Sequence, residues 1–311
     1  MASPAPALSD SVAPAMESVE GPPCPEEGVV SWNCNTTCNY RCSYCTQRFM
    51  DDRGRYSRDA PRFLAAFARL PGRWEIKISG GEPLVHPRLE ELVGGLAALQ
   101  HRVSLVTNLS ASPDRLLRVV AAARGRLGVF SCSLHLEYVE SDAELAAFID
   151  KARAVQGALL AAADPTLPAP SLCVTSVATR AALPRLTALA ERFAQAALVF
   201  KIQPEKQGDG VIDYDPAERA VLVQLGGHNR TGRLQHDLRG RPCWAGARYL
   251  ILDDRGRAYR CYPAKRARGE FLGDFLSPDF KLAAGPAPCR YAYCNCTVPI
   301  ERRMMRLEDA T

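Results

Sequence analysis

The chain has 311 residues and a formal net charge of +5, from 39 lysines and arginines against 34 aspartates and glutamates. This length can bury one sizeable core together with a small additional module. So mild a basic excess does not demand a nucleic-acid partner, and we expect none. No apolar run has the length of a membrane span or the form of a signal peptide, so the sequence predicts a cytoplasmic protein without membrane contact.

Twelve cysteines would indicate disulfides in a small secreted protein, but here most of them fall in two clusters at metal-ligand spacings. A reducing compartment is therefore expected. Cys132 and Cys173 lie outside the clusters in apolar runs, which is typical of buried structural cysteines.

Residues 1–27 are rich in proline, alanine, serine and glutamate without an apolar period, which predicts a flexible extension. From residue 28 to about 215, short apolar runs alternate with longer amphipathic stretches, the pattern of repeated β–α units. The predicted strands cover residues 29–32, 74–78, 103–107, 128–134, 172–177 and 198–202. The predicted helices cover residues 61–70, 89–99, 114–123, 142–154 and 183–194.

Six such units predict an α/β fold, a partial (β/α)6 TIM-like barrel over residues 28–215. Ligands in barrels of this kind bind at the C-terminal ends of the strands. Two motifs fall at these ends, one after the first predicted strand and one after the second.

The first motif is a run of three cysteines, Cys38, Cys42 and Cys45, spaced Cys-x-x-x-Cys-x-x-Cys. Three thiolates this close can hold three irons of a [4Fe–4S] cube, and no fourth cysteine follows at the next step, so one iron stays free for a ligand that is not protein. The alternatives are a zinc site or a buried cysteine cluster. Zinc sites usually add a second cysteine pair or histidines, and no such partner lies nearby.

The second motif is Ser-Gly-Gly-Glu-Pro at residues 79–83, directly after the second predicted strand. Two glycines allow the backbone to approach a ligand closely, and Glu82 can accept a hydrogen bond from an amino group. Alone, the motif is an ordinary turn.

Together, the cysteine spacing with Tyr44 before the last cysteine and the Gly-Gly-Glu-Pro motif resemble the signature of the radical S-adenosylmethionine (SAM) enzymes. The resemblance implies a [4Fe–4S] cluster whose open iron binds SAM, and reductive cleavage of SAM to methionine and a 5′-deoxyadenosyl radical. It also implies a flavodoxin- or ferredoxin-type electron donor. The residues implied to contact SAM are Tyr44, Gly80, Gly81, Glu82, Asn108 and Ser133.

Other residues at strand ends leave alternatives open. Asn108 either contacts SAM or forms a plain asparagine turn. Ser133, His135 and Glu137 alternate along and past the fourth predicted strand, so they share one face. If that face points inward, Ser133 contacts the SAM ribose, and His135 and Glu137 meet the substrate as catalytic residues. The alternative is a polar strand end that faces water.

A linker is predicted over residues 216–242, followed by a cysteine-rich module at 243–311. Cys243 and Cys261 flank a predicted hairpin with its turn at residues 253–256. The stretch from Cys243 to Cys261, spaced Cys-x(12)-Gly-x(4)-Cys, resembles the opening of the SPASM/twitch modules of a radical SAM subfamily. The number of cysteines fits the twitch type, which holds one auxiliary [4Fe–4S] cluster. Which four bind it stays open, and a zinc knuckle is the alternative. The candidates are Cys243, Cys261, Cys289, Cys294 and Cys296.

The predicted activity is dehydrogenation or epimerisation of a small carbohydrate- or aminocyclitol-like molecule in secondary metabolism such as antibiotic biosynthesis. A short N-terminal extension favours this over maturation of a leader-bearing peptide, which is the alternative. A non-catalytic iron–sulfur or zinc module is a third hypothesis.

Overall fold

The computed structural model describes residues 22–47, 49–208, 210–226, 237–267, 269–292, 294 and 298–305. Most of the predicted N-terminal extension, part of the predicted linker and Cys296 lie outside the described residues. Within these ranges, no helix is both long enough and apolar enough to cross a bilayer.

Six parallel strands form the body of the fold, each where the sequence predicts one. Each strand pairs with the next along the chain, so their order in space follows the sequence. The carboxyl ends of all six therefore lie at one edge. This mixed α/β architecture confirms the predicted fold class. The strands are β1 (Gly28–Asn33), β2 (Trp74–Ser79), β3 (Arg102–Thr107), β4 (Leu127–Leu134), β5 (Ser171–Ala178) and β6 (Val199–Pro204).

Five helices connect these strands and bury their apolar sides in one core with the sheet. Two begin at well-formed caps. Ser112 accepts a hydrogen bond from the backbone N–H of Arg115, and Ser141 and Glu144 form a reciprocal capping box. The helices are α1 (Tyr56–Phe67), α2 (Leu89–Ala98), α3 (Pro113–Ala122), α4 (Asp142–Ala161) and α5 (Leu183–Gln195).

The sequence mispredicted the start of α1 and the end of α4. Pro61 lies inside α1 rather than at its start, because the buried residues Ala60, Phe63 and Phe67 hold this helix against the core. Helix α4 continues seven residues past the predicted end at 154 because Val155 and Leu159 extend its buried stripe.

Shorter elements follow β6. Strands β7 (Lys206–Gln207) and β8 (Gly210–Val211) form a small antiparallel pair. Helix α6 (Pro216–Leu225) begins at a capping box of Asp215 and Glu218 and lies in the predicted linker. The next described strand is β9 (Pro242–Cys243).

The predicted hairpin is present, and it joins the main sheet. Strand β10 (Tyr249–Leu252) pairs in parallel with β1, while β11 (Arg257–Tyr259) and β12 (Phe271–Asp274) continue antiparallel beyond it. At the turn, Gly256 has a φ of +84°, a conformation that glycine adopts without strain. The sheet therefore has nine strands, and the start of the cysteine-rich part lies beside the first barrel strand.

The remaining elements lie around this hairpin. Helix α7 (Tyr262–Arg266) follows Cys261, strand β13 (Ala287–Pro288) pairs with β9, and α8 (Val298–Glu301) is the last described helix. A second, smaller apolar cluster forms here around Val29, Tyr249 and Ile251. It includes cysteines, as described below.

Candidate cluster and cofactor site

A cavity of about 380 Å³ opens at the carboxyl ends of the barrel strands. The size suits a small molecule. Its wall contains the three cysteines of the first motif and residues from the ends of β2, β3 and β4. Every predicted cluster and SAM residue lies on it, together with His135: Cys38, Cys42, Cys45, Tyr44, Gly80, Gly81, Glu82, Asn108 and Ser133.

The three cysteines lie in the loop between β1 and α1, and all three are free thiols. One carboxylate closes the base of this loop. Asp52 is buried and accepts hydrogen bonds from the backbone N–H of Thr36 at 2.8 Å, from that of Thr37 at 3.2 Å, and from the Thr37 hydroxyl at 2.6 Å. The two ends of the loop are thereby held together, which restricts the positions of the cysteines between them.

His135, at the end of β4, contacts two residues of the cysteine loop. Its Nδ1 lies 3.2 Å from the Sγ of Cys42 and 2.8 Å from the hydroxyl of Tyr44. Burial lowers the pKa of His135, which favours a neutral ring at neutral pH. A role toward substrate stays a prediction. The observed contacts give His135 a second role, orienting Cys42 and Tyr44.

The side chain of Glu137 also holds the cysteine loop. Its carboxylate accepts a hydrogen bond from the N–H of Ser43 at 2.9 Å and a further one from the Ser43 hydroxyl. Glu137 is not among the described residues that line the cluster cavity. The catalytic role predicted for it stays a prediction, and its position favours support of the loop.

Tyr138 is a further contact of the loop, which the sequence analysis missed. Its hydroxyl accepts a hydrogen bond from the N–H of Arg41 at 2.6 Å, and its ring stacks on Tyr40 with centroids 3.9 Å apart. The only signal in the sequence was its position next to Glu137.

The two glycines of the second motif pack against the cysteine loop. Gly80 has a φ of +149°, and a Cβ there would lie 2.4 Å from the carbonyl oxygen of Asn35. A Cβ on Gly81 would lie 2.1 Å from the carbonyl oxygen of Thr37. Backbone N–H groups at Gly81 and Glu82 donate to these same two carbonyls at 2.9 Å. The neighbouring loop therefore requires glycine at both positions.

Glu82 is buried and joins the ends of β2 and β3. Its carboxylate accepts hydrogen bonds from the N–H of Leu84 at 2.9 Å, the N–H of Asn108 at 2.7 Å and the hydroxyl of Thr107 at 2.7 Å. Burial raises the pKa of Glu82, and these donors oppose the rise. Its predicted contact with SAM stays a prediction, alongside this structural role.

Asn108 forms the asparagine turn that the sequence left as one alternative. Its Oδ1 accepts a hydrogen bond from the N–H of Ser110 at 3.0 Å, and its Nδ2 donates to Oδ1 of Asn39 in the cysteine loop at 3.0 Å. The β3 end is thus a further support of that loop. Asn108 still lines the cavity, so the SAM contact stays open.

The cysteine thiols fit a metal cluster in their surroundings. Burial is the main cause that raises the pKa of Cys38, and it raises that of Cys42 to about 11, so ligand thiolates here require a metal to displace their protons. In the described ranges, no three histidine, cysteine or acidic side chains converge on one ion position. A cube makes no such demand, because its thiolates bind different irons.

Comparison with known proteins agrees with this geometry. Residues 32–167, which contain both motifs, match the family model of the Radical SAM superfamily. The chain carries a radical SAM domain. The predicted radical SAM family is confirmed for this domain, and the family implies a [4Fe–4S] cluster and SAM. The SPASM/twitch subfamily predicted for the C-terminal part stays a prediction.

Two curated relatives show how far the sequence similarity reaches. GTP 3′,8-cyclase of Stenotrophomonas maltophilia (strain K279a) is 36% identical over 85 residues, which cover 25% of this chain and 26% of that protein. The probable GTP 3′,8-cyclase of Pyrobaculum aerophilum is 27% identical over 223 residues, or 68% and 69% of the two chains. The chain thus spans about a quarter of the first relative.

Among solved structures, the crystal structure of Streptococcus suis SuiB has a TM-score of 0.55 at 13% identity, covering 82% of this chain and 64% of SuiB. SuiB bound to S-adenosylmethionine has a TM-score of 0.54 at 14% identity, covering 82% and 62%. The chain therefore spans slightly less than two thirds of SuiB. At such identities the similarity demonstrates a common fold.

Beyond the radical SAM domain, four cysteines come together in the smaller apolar cluster. Cys243 and Cys294 are buried in it, and Cys261 and Cys289 pack against it half-buried. Cys296 lies outside the described residues. Long-range pairing places these cysteines near each other, since β9 ends at Cys243 and pairs with β13 just before Cys289.

A buried cation lies beside these cysteines. Arg260 is 6% exposed and donates to the carbonyl of Ala245 at 3.0 Å and to the carboxylate of Glu270 at 2.8 Å. Burial opposes its charge, whereas Glu270 and the nearby Cys243 and Cys261 raise its pKa. Such a cation suits a site where thiolates carry negative charge.

Proposed function

We propose that this protein is a radical SAM enzyme that abstracts hydrogen from a small carbohydrate- or cyclitol-like substrate, with dehydrogenation or epimerisation as the outcome. One observation carries the radical SAM part of this proposal: three cysteines outside any disulfide and every predicted SAM residue share one cavity at the strand ends. The volume of that cavity, about 380 Å³, supports a small substrate. When bound there, a reduced [4Fe–4S] cluster supplies the electron that splits SAM and provides the 5′-deoxyadenosyl radical.

In this proposal the residues of the chain bind the cluster and SAM and keep the cysteine loop in position. Cys38, Cys42 and Cys45 hold three irons, and the polar contacts of His135 and Glu137 with the loop keep these cysteines in place. The residues of the cavity wall proposed to contact SAM are Tyr44, Gly80, Gly81, Glu82, Asn108 and Ser133.

We further propose an auxiliary [4Fe–4S] site in the C-terminal part, of the SPASM/twitch type. Four described cysteines in one apolar cluster support it: Cys243, Cys261, Cys289 and Cys294. Dehydrogenation requires an electron acceptor near the substrate, and the auxiliary cluster would supply it. Epimerisation requires a hydrogen donor, such as a thiol. A flavodoxin- or ferredoxin-type protein is the proposed reductant.

Two other substrate classes are supported by the relatives. A nucleotide substrate is suggested by the curated name GTP 3′,8-cyclase, and the 27% identity to the Pyrobaculum protein extends beyond the barrel motifs. A peptide substrate is suggested by the crystal structure of SuiB bound to its precursor peptide SuiA, although that similarity concerns the fold. Binding of a purified precursor peptide would favour a peptide substrate.

The test is anaerobic reconstitution with iron and sulfide, reduction with dithionite, and measurement of 5′-deoxyadenosine by mass spectrometry. The Cys24→Ala variant is a matched control, since Cys24 is an exposed cysteine outside both clusters. Formation of 5′-deoxyadenosine above background supports the proposal, and its absence with a fully loaded protein contradicts it. In deuterated buffer, a product lacking a pair of hydrogens indicates dehydrogenation, and uptake of deuterium with inverted stereochemistry indicates epimerisation.

A further inference from the structure

A second and larger cavity, of about 630 Å³, adjoins the cluster cavity. It lies between the cysteine loop, the turn of the β10–β11 hairpin and helix α7. Four residues line both cavities: Thr36, Thr46, Gln47 and Lys206. A ligand seated in the second cavity can therefore extend toward the first.

The acidic residues of the second cavity are already neutralised. The Asp253 carboxylate pairs with Nε of Arg257 at 2.6 Å. The Asp254 carboxylate pairs with Arg55 at 2.5 Å, and Arg55 approaches from outside this cavity. Neither acid is therefore a strong attraction for a cationic ligand.

Two basic residues of α7 line the cavity without such partners. Neither Lys265 nor Arg266 makes an ion pair with another described residue. Arg266 lines the cavity, and its Nη1 is buried without a hydrogen-bond acceptor among these residues. A buried guanidinium N–H without an acceptor is unfavourable, so an oxyanion bound against the Arg266 guanidinium would relieve a cost that the free protein carries.

Lys265 lies next to Arg266 on α7, and it is half-buried in the same cavity wall. Lys206, which lines both cavities, lies with its Nζ 5.9 Å from the ring centroid of Tyr262 on the same side.

We infer that the second cavity binds a phosphate group of the substrate, with Lys265 and Arg266 contacting its oxygens. A guanidinium fork beside an ammonium group is the donor set that tetrahedral oxyanions favour. The inference rests on the proposed function, since it places the reacting part of the substrate in the cluster cavity. It narrows that proposal to phosphorylated sugars or nucleotides and disfavours cationic aminocyclitols.

The test uses the reconstituted holoenzyme and inorganic phosphate, with binding followed by ³¹P NMR titration. Lys265→Gln and Arg266→Gln are each expected to weaken phosphate binding about tenfold or more. Matched controls are Lys281→Gln and Arg153→Gln, because both residues are exposed and line neither cavity. Controls should bind like the unaltered protein.

No phosphate binding by the unaltered holoenzyme, or equal losses in the control variants, would overturn the inference. If Arg266→Gln does not fold, Arg266→Lys retains the charge without the fork, and its affinity should fall by a smaller factor. Cleavage of SAM in the absence of substrate, measured on the same samples, separates the two proposals. Cleavage without phosphate binding contradicts only the phosphate site, and phosphate binding without cleavage contradicts the proposed function.

Discussion

The two groups of cysteines lie in contrasting surroundings. Cys38, Cys42 and Cys45 belong to a loop held by polar contacts from three strand ends, and they face an open cavity. Cys243 and Cys294 are 5% and 8% exposed within an apolar cluster. A metal site that must admit a ligand keeps one side open, whereas a site saturated by protein ligands can be enclosed. The contrast agrees with the two proposals made above, a site that exchanges its cofactor at the first group and a more enclosed auxiliary site at the second, where Cys261 and Cys289 are half-buried.

The largest expected effect comes from replacing one cysteine in each group and comparing the two variants. Cys42→Ala should abolish formation of 5′-deoxyadenosine, because a cluster ligand that also contacts His135 is lost. Cys261→Ala should leave cleavage of SAM largely intact and block product formation. Anaerobic assays of both readouts on the two variants measure the difference. Cleavage that survives in Cys42→Ala, or fails equally in both variants, would mean that the two groups do not have separate roles.

A second prediction concerns the glycines beneath the open site. Gly81→Ala brings a Cβ to 2.1 Å from the Thr37 carbonyl, so the cysteine loop must shift. We expect a loss of about 4 kcal/mol in the free energy of unfolding, together with reduced iron content. Chemical denaturation and iron analysis measure the two effects.

Gly157→Ala in α4 is the control for this change. Nothing lies within 4 Å of its added Cβ, so the variant should gain about 0.5–1 kcal/mol from helix propensity. If Gly81→Ala behaved in the same way, the close contact between Gly81 and the Thr37 carbonyl of the cysteine loop would not contribute to stability.

Much of the open site could be predicted from the sequence. The barrel strands are short apolar runs bounded by polar residues, and buried parallel strands show this pattern in most proteins. The cysteine spacing and the Gly-Gly-Glu-Pro motif are local features as well. What the motifs do not show is the second function of their residues, such as the close contact of Gly80 with Asn35.

The supports of the loop could not be predicted, because they join residues that are distant in sequence. Tyr138 accepts from Arg41 across 97 positions, and Glu137 accepts from Ser43 across 94. Such pairs depend on how two loops meet in space, which no local pattern encodes. For the same reason the hairpin was predicted, but its pairing in parallel with β1 was not.

A third prediction sharpens the description of the enclosed group. Arg260→Met removes the buried partner of Glu270 and donors to three backbone carbonyls, so it should cost about 3 kcal/mol in the free energy of unfolding. Adding Glu270→Gln should recover part of this loss, because the double variant has no half-buried carboxylate left without the Arg260 guanidinium beside it. Arg239→Met is the control, since Arg239 pairs with Asp237 at the exposed surface and its loss should leave stability unchanged. Equal effects of the two single variants would contradict an enclosed, charge-compensated site.

The smallest expected effect is a pH dependence that originates beside the open site. His86 is buried just after Glu82, and its Nδ1 accepts a hydrogen bond from the N–H of Arg88 at 3.1 Å. Burial is the main cause that lowers the pKa of His86 to about 4. The unfolded chain therefore takes up this proton more readily, so the stabilisation is complete above a pH of about 6.5 and is lost as the pH falls toward 4.

His86→Asn isolates this effect, because asparagine can still accept from the N–H two residues later and does not titrate. Between pH 7 and pH 5 the unaltered metal-free protein should lose about 2 kcal/mol more unfolding free energy than the variant. Urea denaturation at both pH values measures the difference. Parallel losses in the two proteins would show that the acid sensitivity comes from other groups, and that the neutral form of His86 does not stabilise the loop under the cluster cavity.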